Sequence, residues 1–311
     1  MSRSSFGLTG RRRPATLASM NETLFQPPWG FLSLPKARTA PDKAKAWVLP
    51  VPYDATVCYG SGSRYGPAAI LTASRAIELY DYEFGCEPGV KFGVHTLPPL
   101  APQRHSPEAM IAAVEEAVAG CRCELLAVFG GEHTISAGVA RGVAKAHGAK
   151  DLVCVQIDAH ADLWDSYEGS TYSHACAARR IVETCPVFQI GVRNIAAAED
   201  KFRKSSDRVT TIFAEETNWL PKLAEFVRGK TVFLTVDLDG LDPSIMPAVG
   251  TPEPGGLTWQ QVLDVARTVC REAKRMPVFD VVELSPIPGM TGPDFLAAKL
   301  AYKIMSLELL K

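Results

Sequence analysis

Two short acidic segments carry the residue types best suited to chemistry in this chain: Asp-Ala-His-Ala-Asp at 158–162 and Asp-Leu-Asp at 237–239. Each follows an apolar run typical of a buried strand, at 152–157 and 232–236. Alternate side chains of an extended backbone point to the same side, so four carboxylates and one imidazole are expected to converge at two strand ends. Because unpaired buried charges are very unfavourable, we expect a cation between them, and a divalent metal ion is the first candidate.

A third polar segment, Gly-Gly-Glu-His-Thr at 130–134, also follows an apolar run. The complete set of candidate metal ligands is His133, Asp158, His160, Asp162, Asp237 and Asp239. Six carboxylate and imidazole ligands exceed one tetrahedral zinc site but suit two divalent ions of higher coordination number. Two ions roughly 3.5–4 Å apart would share a water molecule and lower its pKa towards neutrality. Taken singly, an aspartate after a strand is a turn former and His133 is a core histidine, but the whole set favours metal binding.

The elements that must position these residues alternate between strands and helices. Strands are predicted near 46–51, 124–129, 152–157, 186–191, 209–213, 231–236 and 277–283, with one more near 90–95. Amphipathic helices are predicted over 106–119 and over 257–273, the second with Thr258 as its N-cap. This alternation predicts a three-layer α/β fold, with a mainly parallel central sheet of about eight strands and helices on both faces. Ligands of such sheets bind beyond the carboxyl ends of the strands, where the three polar segments and Glu283 fall.

Composition limits the classes of function. The chain has 311 residues and a net charge of −1, which gives no broad basic surface for nucleic acid. No apolar run approaches the roughly 20 residues of a membrane span, and we identify no secretory signal. The eight scattered cysteines include no CxxC pair, which predicts reduced thiols and a cytoplasmic protein. Residues 1–40 are predicted to be an irregular N-terminal arm before a single domain over 41–311, and Met20 is a second possible start.

The chain resembles the ureohydrolase family, which contains arginases, agmatinases and hydrolases of guanidino acids. The resemblance extends from Trp47 to Leu309 and rests on motifs whose order and spacing are specific. These motifs are Gly-Gly-Glu-His-Thr at 130–134, Asp-Ala-His-Ala-Asp at 158–162, Ser-His-Ala at 173–175, Val-Asp-Leu-Asp-Gly-Leu-Asp-Pro at 236–243, Gly-Thr-Pro-Glu at 250–253 and Val-Glu-Leu-Ser-Pro at 282–286.

The resemblance implies a single arginase-like catalytic domain, a homo-trimer or homo-hexamer, and a site for two Mn²⁺ ions. Ni²⁺ or Co²⁺ would also suit these ligands. By position, His133 and Asp162 belong to one ion together with Asp158 and Asp237, and His160 and Asp239 complete the other.

The resemblance also implies three catalytic roles. Asp162 orients a metal-bridging hydroxide for attack on the guanidinium carbon of the substrate and passes its proton to the leaving nitrogen. Glu283 binds the guanidinium through two parallel hydrogen bonds. His174 contacts the substrate and shuttles protons to solvent, although Ala175 stands where many relatives have glycine.

The identity of the guanidino substrate is inferred from the loop over 164–172. Arginases carry a Ser-Gly-Asn segment here that holds a carboxylate, whereas this loop has Asp165 and Glu168 and no asparagine. Acids favour a distal ammonium, so the expected reaction is agmatine to putrescine and urea, a step of polyamine biosynthesis.

Other small guanidino substrates remain open: guanidinobutyrate, guanidinopropionate, arginine, guanidine or formimidoylglutamate. A non-catalytic metal-binding relative and a metal-dependent deacetylase are the alternatives from other classes. The complete ligand set, with His174 and Glu283 both present, disfavours these two.

Overall fold

Eight mostly apolar segments pair into one parallel sheet in the computed structural model, which describes residues 30–311. The strands are β1 (Ala46–Val51), β2 (Val94–Thr96), β3 (Leu125–Gly130), β4 (Leu152–Ile157), β5 (Val187–Val192), β6 (Val209–Phe213), β7 (Thr231–Asp237) and β8 (Arg275–Val282). Their order across the sheet is β2-β1-β3-β8-β7-β4-β5-β6, and every pairing is parallel. All carboxyl ends therefore lie at the same edge of the sheet.

Helices cover both faces of this sheet. They are α1 (Gly66–Ser74), α2 (Pro88–Phe92), α3 (Pro107–Gly120), α4 (Ile135–His147), α5 (Ala177–Thr184), α6 (Ala197–Ser205), α7 (Leu220–Val227), α8 (Trp259–Glu272) and α9 (Gly292–Leu309). Across residues 30–311, none of these helices is both long and apolar enough to cross a membrane.

The alternation of strand side chains divides the core into two halves. In β4, Val153, Val155 and Ile157 pack in the half that holds α1, α7, α8 and α9. Leu152 and Cys154 point to the other face and pack with α3, α4 and α5. Strands buried on both faces need near-continuous apolar sequence, which is why they were recognisable. The predicted three-layer α/β architecture is confirmed.

Two predicted helix starts are confirmed by their capping hydrogen bonds. The Ser106 side chain accepts a hydrogen bond from the backbone N–H of Ala109 at the start of α3 (3.3 Å). Thr258 and Gln261 form a reciprocal capping box at the start of α8. Each cap satisfies N–H groups that the first helical turn leaves unpaired.

The strand expected near 90–95 is shorter and lies later in the sequence. Pro88 begins the short helix α2, because its fixed φ suits the first helical position. Gly93, at φ +67°, ends that helix, and only Val94–Thr96 pairs with β1. The apolar composition of this segment predicted a strand, but the proline and glycine determine where it begins.

The described part of the predicted N-terminal arm, residues 30–40, contains two 3₁₀ turns, at Phe31–Ser33 and Lys36–Arg38. Phe31 and Leu32 are buried, and the Phe31 ring packs edge-on against Phe129 with 5.2 Å between centroids. The rest of the predicted arm, and Met20, lie outside the described residues.

Candidate metal centre and substrate cleft

Four neighbouring strands bring the candidate ligands to one edge of the sheet. Asp158 follows β4, Asp237 ends β7, His133 lies three residues beyond β3, and Glu283 follows β8. These strands are adjacent in the order β3-β8-β7-β4 although they are far apart in the sequence. Residues that the sequence separates by up to 150 positions therefore meet at one place.

The first cluster surrounds the imidazole of His133, which is 1% exposed. Its Nδ1 lies 3.1 Å from Oδ2 of Asp158, 3.1 Å from Oδ2 of Asp162 and 3.2 Å from Oδ2 of Asp237. One ring nitrogen offers one lone pair or one proton, so it cannot pair with three carboxylates at once. The arrangement fits a cation that all four side chains would share.

The second cluster contains Asp158, His160 and Asp239. Nδ1 of His160 lies 3.0 Å from Oδ2 of Asp239 and 3.7 Å from Oδ1 of Asp158. Asp158 thus directs one oxygen towards each histidine, so its carboxylate could contribute a ligand oxygen to a cation in each cluster. All six ligands predicted from the sequence are brought together in these two adjoining clusters.

The electrostatics of the clusters also fit bound cations. Burial and the charge of Asp158 raise the pKa of Asp162 to about 7. Burial and the charges of Asp239 and Asp158 raise the pKa of Asp237 well above its usual range. Carboxylates whose charged forms are this unfavourable need added positive charge, and oxygen and imidazole ligands suit Mn²⁺, Co²⁺ or Ni²⁺.

A chain of buried hydrogen bonds orients His133 from behind. Ser136 donates its only hydroxyl proton to Oδ2 of Asp280 (2.6 Å), and the Thr235 hydroxyl donates to Ser136 (3.4 Å). Oγ1 of Thr235 therefore accepts the proton on Nε2 of His133 (3.0 Å). This tautomer leaves the lone pair of Nδ1 facing the three carboxylates, as a metal ligand requires.

Two cleft residues have unusual backbone conformations. Asp162 has φ +51° and Glu283 has φ +66°, a region that non-glycine residues rarely adopt. Backbone hydrogen bonds hold them there, from Arg179 N–H to the Asp162 carbonyl (2.9 Å) and from Glu283 N–H to the Gly131 carbonyl (2.8 Å). Strained backbone conformations persist only where the surrounding structure holds them, and they are concentrated at functional sites.

Glu283 is a buried carboxylate in the cleft wall. Its Oε1 accepts a hydrogen bond from the backbone N–H of His133 (2.6 Å), and among residues 30–311 it forms no ion pair. Burial, together with the charge of Glu132, raises its pKa well above the usual range. The site is therefore poised to gain from a cationic group placed beside Glu283.

His174 begins a short 3₁₀ turn, His174–Cys176, and lines the same cleft. Burial lowers the pKa of its imidazole, so the neutral form predominates near pH 7. The Tyr167 ring packs edge-on against it, with 5.8 Å between ring centroids. A neutral imidazole at a cleft wall can accept and release a proton.

The two acids of the loop over 164–172 do not line the cleft. Asp165 is exposed and forms ion pairs with Arg180 (2.9 Å) and Arg179 (3.4 Å), and Glu168 is also exposed. The loop instead contributes the aromatic rings of Trp164 and Tyr167 to the cleft. The sequence argument that acidic side chains of this loop meet the substrate is therefore not supported by their placement.

Three further residues at this edge were missed by the sequence analysis. Thr56 and Glu132 adjoin His174, as described below, and Arg193 binds the loops that follow β7. Its guanidinium donates to the carbonyls of Asp239 (2.7 Å) and Glu253 (2.8 Å). All three follow the carboxyl end of a strand, so the rule that located the ligands could have selected them, but the contacts they make are not visible in the sequence.

Comparison with known proteins finds similarity over almost the whole described chain. The arginase family model matches residues 44–306. The chain is 38% identical over 280 residues to N(1)-aminopropylagmatine ureohydrolase of Synechocystis sp., covering 87% of this chain and 91% of that protein. It is 31% identical over 260 residues to agmatinase of Halalkalibacterium halodurans, covering 80% and 87%.

A solved structure shows the same architecture. Agmatine ureohydrolase of Thermoplasma volcanium matches with a TM-score of 0.77 and 31% sequence identity, covering 88% of this chain and 92% of that one. The matched lengths leave little of either chain unaccounted for.

Replacing Thr235 by valine is expected to weaken metal binding without unfolding the protein. The change removes the acceptor that fixes the tautomer of His133, and loss of such a partner lowers metal affinity by about 10–100-fold. Calorimetric titration of the metal-free protein with Mn²⁺ measures this directly. The matched control is Thr231→Val, at the other end of the same strand, which should bind Mn²⁺ like the unaltered protein; equal affinities for all three would contradict the role given to Thr235.

Proposed function

The chain belongs to the arginase family, and we propose that it releases urea from a linear aminoalkylguanidine, with N(1)-aminopropylagmatine as its principal substrate. It is a hydrolase of guanidino C–N bonds, as its relatives are, and the family resemblance inferred from the motifs is confirmed. The choice of substrate is the part that we propose.

The choice of substrate rests on the residues that line the cleft. Among the described residues that form it, carboxylates and aromatic rings are present, whereas lysine and arginine are absent. Arg193, at the same edge of the sheet, donates its hydrogen bonds to backbone carbonyls. A substrate with a distal carboxylate, such as arginine, guanidinobutyrate or guanidinopropionate, would find no cation there, whereas a substrate with a distal amine meets no like charge.

The aromatic wall supports a cation along the body of the substrate. The rings of Trp164 and Tyr167 lie 6.0 Å apart between centroids and are tilted by 54° to one another. Faces of tryptophan and tyrosine attract ammonium groups by about 0.5–2 kcal/mol. N(1)-aminopropylagmatine carries an internal secondary ammonium as well as a terminal one, so it can use this wall while its guanidinium lies in the cleft.

The residues of the cleft have complementary tasks in this reaction. We assign Glu283 to the guanidinium, because a buried carboxylate without an ion pair gains most from a planar cation that donates two hydrogen bonds. That contact fixes the guanidinium carbon in position for attack.

Proton transfers fall to Asp162 and His174. With the two clusters occupied by divalent ions, the metal centre would supply an activated water as the nucleophile. Asp162 lies in the first cluster, so its carboxylate is placed to take a proton from that water and give it to the departing nitrogen. His174 is suited to exchange protons with solvent. Water adds to the carbon, one C–N bond breaks, and the products are urea and the free polyamine.

Agmatine is the second candidate, and it is the substrate expected from the sequence. The agmatinase of Halalkalibacterium halodurans is 31% identical, against 38% for the N(1)-aminopropylagmatine ureohydrolase of Synechocystis sp.. Agmatine also ends in an amine, so the cleft lining favours it over the guanidino acids in the same way.

A panel of urea-release assays on the Mn²⁺-loaded protein tests the proposal. We expect kcat/KM to be highest for N(1)-aminopropylagmatine, lower for agmatine, and at least about tenfold lower again for guanidinobutyrate and arginine, because a desolvated, unpaired carboxylate is unfavourable. The proposal fails if a guanidino acid is the best substrate or if no member of the panel yields urea.

Glu283→Gln is expected to lower kcat/KM by about 10²–10³-fold, because the charge that orients the guanidinium is removed. Metal content, measured by atomic absorption, should stay that of the unaltered protein, since Glu283 is not among the six ligands. Unchanged turnover at full metal content would rule out the assigned role.

Trp164→Ala is expected to raise KM for N(1)-aminopropylagmatine by about 3–30-fold through loss of the cation–π contact. The matched control is Glu168→Gln in the same loop, which should leave KM unchanged because that side chain is exposed. If the control raises KM and Trp164→Ala does not, the loop acts through its charge and the aromatic wall is not the binding surface.

A further inference from the structure

Thr56 lies just beyond the end of β1 and joins a buried carboxylate to His174. Its Oγ1 accepts the backbone N–H of His174 (3.0 Å) and lies 3.3 Å from Nδ1 of the same residue. On its other side, the Thr56 hydroxyl donates to Oε1 of Glu132 (2.9 Å). No role in the reaction has so far been given to Thr56 or Glu132.

Glu132 is fully buried, and among the described residues its carboxylate accepts hydrogen bonds from Thr56 and Thr134. It accepts three hydrogen bonds: from Thr56 N–H (2.7 Å), from the Thr56 hydroxyl (2.9 Å) and from the Thr134 hydroxyl (2.7 Å). A carboxylate held by three donors is a fixed acceptor, so its contacts determine where the two hydroxyl protons point.

Counting protons then fixes the tautomer of His174. Thr56 and Thr134 both give their protons to Glu132, so Oγ1 of Thr56 presents only lone pairs to His174. If Nδ1 were unprotonated, its lone pair would face a lone pair of Oγ1 of Thr56, and the two would repel. Nδ1 therefore carries the proton and donates it to Thr56, and Nε2 keeps its lone pair.

Ser173 is the competing partner, because its Oγ also lies 3.3 Å from Nδ1 of His174. A proton on Nδ1 is compatible with Ser173 as a second acceptor. A hydroxyl proton from Ser173 directed at Nδ1 would instead leave Oγ1 of Thr56 against an unprotonated nitrogen. The contacts of Glu132 favour the first arrangement.

The local fold explains how Thr56 reaches this position. The chain beyond β1 stays paired with the chain beyond β3, through Glu132 N–H to the Tyr53 carbonyl (2.8 Å) and Gly131 N–H to the Val51 carbonyl (3.0 Å). A Cβ at Gly131 would lie 1.9 Å from the Tyr53 oxygen, so only glycine permits this approach. The second glycine of the Gly-Gly-Glu-His-Thr motif therefore brings Thr56 beside Glu132.

We propose that Thr56, anchored by Glu132, is a positioning residue that holds His174 in the Nδ1–H tautomer with Nε2 available to exchange protons in the cleft. The inference rests on the proposed function, in which His174 moves protons. Thr56 contacts Nδ1 of His174 (3.3 Å) and is not among the described residues that line the cleft, so it acts through His174 and not on the substrate.

Three single variants of the Mn²⁺-loaded protein test this inference. Thr56→Val removes the hydroxyl at nearly constant volume and should lower kcat by about 10–100-fold with KM changed less than about twofold, because proton transfer and not binding is affected. Thr56→Ser keeps the hydroxyl and should restore kcat to within about threefold. Ser173→Ala, the matched control, removes the other hydroxyl beside Nδ1 and should leave kcat near its original value.

Two more variants separate this inference from the proposed function. His174→Asn should lower kcat by itself, and adding Thr56→Val to it should produce almost no further loss, since residues that act through one another are non-additive. If His174→Asn is fully active, the role of His174 in the proposed function fails. If His174→Asn is impaired while Thr56→Val is not, only the role of Thr56 fails.

The remaining outcomes also decide the question. Thr56→Val and Thr56→Ser impaired alike would show that the site needs the threonine for packing, which overturns the inference. Ser173→Ala impaired with Thr56→Val active would make Ser173 the partner of Nδ1. Metal content and melting temperature, measured for each variant, identify any loss of activity that comes from misfolding. If Thr56→Val does misfold, the activity of Thr56→Ser, which keeps the hydroxyl, decides whether the hydroxyl is needed.

Discussion

The protein buries more negative charge at one sheet edge than its own cations neutralise. Asp158, Asp162, Asp237 and Asp239 meet there with two histidines, and Glu283 lies beside them. Such a group of carboxylates is tolerable only if positive charge is added, first by metal ions and then by a cationic substrate. The same excess of charge therefore accounts for the metal centre and for the preference for a guanidinium.

The parallel sheet makes this concentration of charge possible. The four strands that end in the site are central and mutually adjacent, so their backbones are fully paired and the strand ends are held firmly. Hydrogen bonds then orient individual side chains: Thr235 contacts His133, and Thr56 contacts His174. In both cases a threonine oxygen fixes which ring nitrogen carries the proton, and a buried carboxylate orients the threonine, directly for Thr56 and through Ser136 for Thr235.

Substrate preference depends on where individual loop side chains point, whereas the reaction depends on the residues at the strand ends. The loop over 164–172 is acidic in sequence, but Asp165 pairs with arginines on the surface and Trp164 and Tyr167 form the cleft wall. We still propose a distal amine, for a different reason: the described residues of the cleft include no lysine or arginine, and they include aromatic rings. The contacts expected from the acids of this loop are absent, so the proposal rests on the cleft lining instead.

Local sequence patterns were enough to locate most of the strands, the side chains at their ends and the family. Buried parallel strands require continuous apolar runs, and metal ligands require a few residue types at close spacing, so both leave local patterns. How those patterns combine depends on packing between distant parts of the chain. The extent of β2, the direction in which Asp165 points and the contacts of Thr56 with Glu132 and His174 each depend on chain segments far apart in the sequence. Hydrogen bonds between side chains act over about 3 Å, and no local pattern records which distant segments the fold will bring within that distance.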